Sequence, residues 1–453
     1  MPTARVRHIG QVPALDSRAA SWHAPSIFAS RLKSVPDIYI DTAQADTVGK
    51  PPLKVVFFSP FILQDAASGA AQSIRTMLEQ LAARGVSCHA LTACCFDVPP
   101  GPRLAEVLQA QGLRQTGIIK EIGMPVWQGH IKGVDYNAIH FASQTRHQFS
   151  PPEEITYRDM VRIWLKQNKP DVVITFGGLL LDVEIQRCAR AAGALLVFYL
   201  ANPSYGRAET FARVDLIVTN SEATSAHYRR TLSLDSQSVG LFVDPGRAIA
   251  ARREPQFVTF INPLPEKGVT LFLKLVERAA AEAPDLRFLV VESRGKLADA
   301  LQKTGKGAAL AERITLLPKQ DDIAAVYGVT KILLMPSFWF EAAGRILIEA
   351  NANGIPVLAS DGGGIPETLG GAGKLLSVPD RCMQDHWAIP SDEEAEPWWR
   401  ELLRLWREPA HYQSMSELAL STATAQTVAA KAERLEALLR AALAKKNAGT
   451  SPA

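Results

Sequence analysis

From residue 53 onward the chain repeats one unit: a short apolar run, a loop, an amphipathic helix, a glycine stop and another apolar run. Residues 53–59 (LKVVFFS) read as a strand buried on both faces. The helix that follows turns Ile74, Met77, Leu78, Leu81 and Ala82 inward. Gly85 ends it, and residues 86–92 resume as a strand. The unit returns as a helix over 157–167, a strand over 170–176 and a helix over 183–192 stopped by Gly193. Strands over 195–200 and 214–220 follow, the second leading into a helix capped near Ser221. Such alternation predicts a parallel sheet covered by helices on both faces.

Residues 243–255 break the rhythm with turn formers and charge, which places a domain boundary there. A second series begins beyond it. Strands are expected over 257–261, 286–291, 314–317, 332–335 and 356–359, with helices over 269–282, 297–302, 322–327 and 343–353. Helices over 394–406 and 427–445 close the chain, with Trp398, Trp399 and Trp406 expected to anchor them to the core. The fold class is therefore α/β: two doubly wound domains of similar size facing across a cleft. The division is 1–52 as an irregular extension, 53–245 as the first domain, 246–430 as the second, and 431–453 as a helix and tail. Residues 36–40 are apolar enough to dock as an extra strand, and the last six residues are expected to fray. Residues 112–150 are Gly-rich and less regular, with strand-like pieces such as 118–121. In open parallel sheets ligands sit at the carboxyl ends of the strands, so the cleft is the expected site.

Charge and cysteine usage exclude several classes. Forty-nine basic against 46 acidic residues leave a net charge of +3, too little for a protein built to coat nucleic acid. No apolar run approaches the ~18 residues of a membrane span. The opening MPTARVRHIGQ has no apolar signal core. Five scattered cysteines, an odd number, do not form a disulfide framework, so a reducing cytoplasm is expected. Cys94-Cys95 has no second pair at metal-ligand spacing, and no metal site is expected. Tyr157, Arg158, Arg162, Trp164, Lys166 and Lys169 read as a scaffold helix with a solvated basic rim, a face also compatible with peripheral membrane contact. Arg146-His147 reads as a surface loop, and a homodimer is compatible with all of this.

The chemistry concentrates in residues 336–367, PSFWFEAAGRILIEANANGIPVLASDGGGIPE. Glu341 lies in a loop before a helix and Glu349 about two turns into it, with Gly344 between them and Gly362-Gly363-Gly364 downstream. A helix N-terminus offers unpaired N–H groups and partial positive charge to a phosphate. Carboxylates flanking that phosphate would accept bonds from sugar hydroxyls. A glutamate pair alone would read instead as a first-turn helix charge and a solvated position.

The run as a whole resembles the second domain of the retaining glycosyltransferases with the GT-B fold, the family-four type, whose two domains are Rossmann-like. Their typical run opens PS-x-x-E and continues E-x-x-G-x-x-x-x-E-A-x-A-x-G-x-P-V-x-A-S-x-x-G-G-x-P-E. Matching residues here are Pro336, Ser337, Glu341, Gly344, Glu349, Ala350, Ala352, Gly354, Pro356, Val357, Ala359, Ser360, Gly363, Gly364, Pro366 and Glu367. Pro265-Glu266-Lys267-Gly268 resembles the family's P-E-K-G, Val214-Asp215 through Asn220-Ser221 its later strand, and Ser68-Gly69 the glycine-rich loop after the first strand. The resemblance covers roughly residues 53–430, specific in the second half and architectural in the first.

What the resemblance implies is a retaining, metal-independent transfer of a hexosyl group from a nucleotide-diphosphate sugar, uridine being the commoner base. Donor and acceptor are substrates, and no cofactor is implied. Glu341 would contact the donor sugar and Glu349 the ribose. Lys267 would neutralise the diphosphate, backbone N–H groups around Ala343, Gly344 and Arg345 would cradle it, and Gly69 would approach from the first domain. The leaving phosphate would itself take the acceptor's proton. Two positions depart from the pattern. The arginine five places before the lysine is Asn262, and the histidine after a first-domain strand is absent, leaving Asn202 as a hydrogen-bond donor there. A non-catalytic nucleotide-sugar or partner-binding protein on the same scaffold is the alternative; phosphorolysis of a glycoside would want more phosphate-binding cations.

Overall fold

Val55, Val56, Phe57 and Phe58 are all fully buried in β1 (Lys54–Phe61), the strand at the centre of the first sheet. The computed structural model describes residues 52–119, 122–320 and 322–449. The extension before residue 52, its apolar stretch 36–40 and the last four residues lie outside them.

The first sheet also contains β2 (Ser87–Cys95), β3 (Arg114–Ile119), β4 (Met124–Ile131), β5 (Val134–Ile139), β6 (Val172–Thr175), β7 (Leu195–Leu200), β8 (Leu216–Thr219) and β9 (Gln237–Ser238). Its order is β3-β4-β5-β2-β1-β6-β7-β8-β9. Neighbours are parallel except that β4 runs against both β3 and β5. Residues 112–150 are therefore far more ordered than their composition suggests. Lys132 and Gly133, with φ of 47° and 78°, join β4 to β5 as a two-residue hairpin, the turn whose twist suits antiparallel strands.

The second sheet, wholly parallel, runs β12 (Ile314–Leu317), β11 (Phe288–Val291), β10 (Phe257–Ile261), β13 (Thr330–Met335), β14 (Val357–Ser360), β15 (Lys374–Leu376). Trp398 and Trp399 are buried in its core, as expected of the helix Asp392–Arg407.

Three helical features differ from the sequence expectation. The helix expected from residue 157 begins at Pro151, because Pro151 and Pro152 occupy the first turn, where no N–H is needed, and Glu153 reaches back to the Ser150 amide at 2.7 Å. Arg146, expected on a surface loop, is buried and paired with Glu154 at that helix's start. A further helix, Pro409–Ala425, was hidden by its weak amphipathicity.

The last helix, Val428–Gly449, crosses back to the first domain. Ala432, Leu435 and Leu439 are fully buried there, each leucine contributing about 1.5–3 kcal/mol. Lys431 Nζ donates to Leu241 O at 3.0 Å and Lys446 Nζ to Ala194 O at 2.7 Å. The chain thus passes between domains twice, near Val243 and near Gln426. The domains also touch directly: Ser221 Oγ donates to Ala342 O, and the Glu222 amide donates to Glu367 Oε2 at 2.7 Å.

Candidate active site

The carboxyl end of β10 leads into a tight turn. Asn262 has φ of 64°, and the short 3-10 turn Pro265–Lys267 is closed by Gly268. Gly268 is obligatory: its φ is 83° and an added Cβ would lie 1.9 Å from Pro336 O. This contact fastens the Lys267 turn to the loop beginning at Pro336. Lys267 Nζ pairs with Glu341 Oε1, and Ser337 Oγ donates to the same oxygen at 3.0 Å.

Behind Glu341 lies the glycine turn after β14. The Gly364 amide donates to Glu341 O at 2.7 Å. A Cβ at Gly363 would come within 2.2 Å of Glu341 O, and one at Gly364 within 2.2 Å of Ala342 O. The glycines are there because two backbones meet.

The helix Arg345–Ala352 starts at Gly344, with no side-chain cap and no acid in its first turn; Ala343, just before it, is buried. Glu349 lies one turn in and is 8% exposed. Its Oε1 accepts from Arg345 Nε at 3.2 Å and its Oε2 from the Tyr327 hydroxyl at 2.8 Å. Burial pushes its carboxyl above the ordinary range, against the pull of Arg345 and Tyr327.

From the first domain, the helix Gly69–Ala82 presents a second N-terminus without a side-chain cap or acid in its first turn. Gln72 on that first turn accepts from Arg345 Nη1, so the two helix starts are tied across the cleft. An added Cβ on Gly69 would meet nothing within 4 Å, which leaves that face open to a ligand.

The structure thus brings together Lys267, Glu341, Ala343, Gly344, Arg345 and Glu349, with Gly69 facing them through Gln72. Asn262 stands at the edge of this group, its Oδ1 accepting the Gly295 amide at 2.9 Å. Among the described residues, Asn202 makes no hydrogen bond to this group. That side chain is exposed and its Oδ1 accepts the Ser204 amide at 3.0 Å in a local turn. The Arg345 guanidinium spans Glu349 and Gln72. Three residues, not two, separate Ser337 from Glu341, so Pro336 and Ser337 match the family run one place out of step. The extra length is spent in the Phe338-Trp339-Phe340 segment, whose Phe340 ring lies 5.1 Å from His227 of the first domain.

Tyr327, Gln72 and Ser337 were not singled out as site residues from sequence. Tyr327 reads as a core aromatic in a short helix, and nothing local signals that its hydroxyl meets Glu349. Among the described residues no three His, Cys, Asp or Glu side chains cluster as a metal ligand set, and no helix is long and apolar enough to cross a membrane. A cavity of about 530 Å³ lined by Arg162, Lys166, Lys169 and Cys188 opens at the amino ends of β6 and β7, away from these residues.

Residues 247–386 match the family described as Glycosyl transferases group 1. A D-inositol 3-phosphate glycosyltransferase of Segniliparus rotundus is 28% identical over 259 residues, 52% of this chain and 55% of that protein. The Mycobacterium marinum protein of the same name is 34% identical over 154 residues, 32% of this chain and 31% of its own length. At best, the chain spans about half the length of these curated relatives. In fold it is similar to a glycosyltransferase from Rickettsia africae (TM-score 0.63, 14% identity, 87% of this chain and 99% of that one). It is also similar to Anabaena Alr3699/HepE in complex with UDP and glucose (TM-score 0.61, 14% identity, 86% and 100%). The segment that holds Lys267, Glu341 and Glu349, residues 247–386, thus matches glycosyl transferases group 1, and the chain carries the GT-B fold.

Proposed function

We propose that the chain transfers a hexosyl group from a uridine diphosphate sugar to an acceptor held by the first domain, with retention of anomeric configuration. The observation that carries this is the convergence of Lys267, Glu341 and Glu349 on two uncapped helix N-termini tied by Arg345 and Gln72. Ammonium and amide groups suit a diphosphate, whose negative charge grows as its bond to the sugar breaks. A carboxylate offers about four lone-pair sites. Glu341 Oε1 is taken by Lys267 and Ser337, leaving Oε2 for a sugar hydroxyl. Glu349 keeps one site on each oxygen for ribose hydroxyls.

In the proposed step the bond from sugar C1 to the phosphate oxygen breaks, and the acceptor oxygen bonds to C1 on the same face. The acceptor's proton passes to the departing phosphate oxygen. Lys267 and the N–H groups supply the positive charge, so the step needs no bound cation. The UDP complex of HepE supports the choice of base. The relatives' name makes an inositol phosphate the first acceptor to assay.

The test is a thermal-shift panel of UDP, GDP, ADP and their glucose conjugates with chelator present, followed by transfer and assignment of the product's anomer by NMR. A UDP shift that survives chelation and an α-linked product from an α-donor are expected. An inverted product, or no response to any nucleotide, would sink the proposal. The second reading, binding without transfer, is favoured by the local engagement of Asn202. It predicts the shift with no turnover.

A further inference from the structure

The loop after β11, residues 292–296, carries two cations, Arg294 and Lys296. Glu292 takes one of them: its Oε2 accepts Lys296 Nζ at 2.8 Å while its Oε1 accepts the Leu297 amide at 3.0 Å. Arg294 is exposed and makes no hydrogen bond or ion pair among the described residues.

The loop's position is fixed by Asn262. Besides the bond from the Gly295 amide to Asn262 Oδ1, the Asn262 amide donates to Val291 O at 2.8 Å. Gly295 is pressed against the β10 turn so closely that a Cβ would lie 2.7 Å from Pro263 O and 2.9 Å from Leu264 N. Leu264 opens the turn that ends in Lys267. Arg294 therefore emerges one residue from a backbone contact with the Lys267 turn, on the carboxyl edge of the sheet where the cleft lies. Asn262 itself, in the left-handed region that asparagine tolerates, reaches Gly295 and not the cleft.

We propose that Arg294 is a diphosphate-binding residue of this chain: Asn262, standing where an arginine is expected, holds the loop that delivers the arginine from the neighbouring strand instead. This rests on the proposed nucleotide reading. A guanidinium on a phosphate forms charge-assisted, often paired hydrogen bonds, so its loss is felt by the diphosphate and not by the nucleoside.

The test compares wild type, Arg294→Ala and Lys296→Ala, titrated with UDP by calorimetry and with uridine by ligand-observed NMR. Lys296→Ala removes the same charge from the same loop and so controls for long-range attraction. We expect UDP to bind Arg294→Ala about tenfold more weakly, with uridine unchanged and Lys296→Ala close to wild type. Equal UDP affinity in wild type and Arg294→Ala overturns the assignment, as do equal losses in both variants or a matching loss of uridine binding. Wild type binding none of UDP, GDP and ADP would overturn the underlying nucleotide reading itself, a distinguishable result.

Discussion

Tyr327 donates its hydroxyl to Glu349 Oε2 at 2.8 Å from inside the core, where the tyrosine ring is fully buried. The bond holds the carboxylate in place and favours its charged form, which burial alone opposes. Tyr327→Phe should therefore destabilise the fold by about 1–3 kcal/mol, the cost of an unmet buried acceptor. It should also raise the Glu349 pKa further. If the ionised carboxylate binds ribose, nucleotide affinity will fall on acidification, and the fall will begin at higher pH in Tyr327→Phe. Calorimetric titrations across pH check this; superimposable profiles would contradict it.

Lys267 and Glu341 are paired in the free protein, so a diphosphate must compete for the ammonium. Lys267→Ala should cost about 3 kcal/mol in transfer, comparable with losing one key oxyanion donor. Glu341→Gln should leave UDP binding nearly intact while lowering turnover. Single-turnover rates and UDP titration of both variants separate the roles. Unchanged turnover in Lys267→Ala would move the phosphate site elsewhere.

Two glycines should respond in opposite ways. Gly268→Ala drives a Cβ into Pro336 O in left-handed backbone and should cost roughly 2–5 kcal/mol. Gly69→Ala meets open space and should change stability by less than about 1 kcal/mol. A loss of transfer in a fully folded Gly69→Ala would then report contact with a ligand. Denaturant titration beside activity is the measurement.

The sequence alone suggests that Asn262→Arg would tighten diphosphate binding. The structure reverses that expectation, since the substitution removes the Gly295 anchor and puts a long side chain at φ 64°. UDP affinity should stay level or fall, together with a lower Tm. A clear gain in affinity would show that the strand end relaxes around arginine.

Asp182, buried and accepting the Leu179 amide, has its carboxyl pushed up to about 6, chiefly by burial. The folded protein holds this proton more tightly than the unfolded chain, whose carboxyl has its ordinary value near 3.8. Rising pH between these values therefore removes stability. Asp182→Asn, which still accepts the amide bond, should gain on wild type by about 3 kcal/mol between pH 4 and 7. Urea melts at several pH values test it; a constant difference would place the Asp182 carboxyl at its ordinary pKa.

The buried alternation from Val55 to Leu200 and again from Val258 to Leu358 was enough to place two parallel sheets, because strands covered on both faces must be apolar throughout. The antiparallel β3-β4-β5 edge escaped, since its strands mix polar with apolar residues and glycine interrupts β3 and β4. Glu341 and Glu349 were legible through the spacing of the 336–367 run, and Lys267 through Pro265-Glu266-Lys267-Gly268. Their partners were not: Gln72 meets Arg345 from 273 positions away in the chain, and Tyr327 differs from any core tyrosine only in where its hydroxyl ends.

The layers and the strand ends that face the cleft were legible along the chain, because hydrophobic periodicity and glycine stops act over a few residues. Tertiary structure alone decided how those ends meet. The crossing of Val428–Gly449 onto the first domain, the Arg345–Gln72 tie and the Asn262–Gly295 anchor all depend on groups far apart in the chain. Such contacts carry no local periodicity, so only the folded arrangement brings the donors to their acceptors.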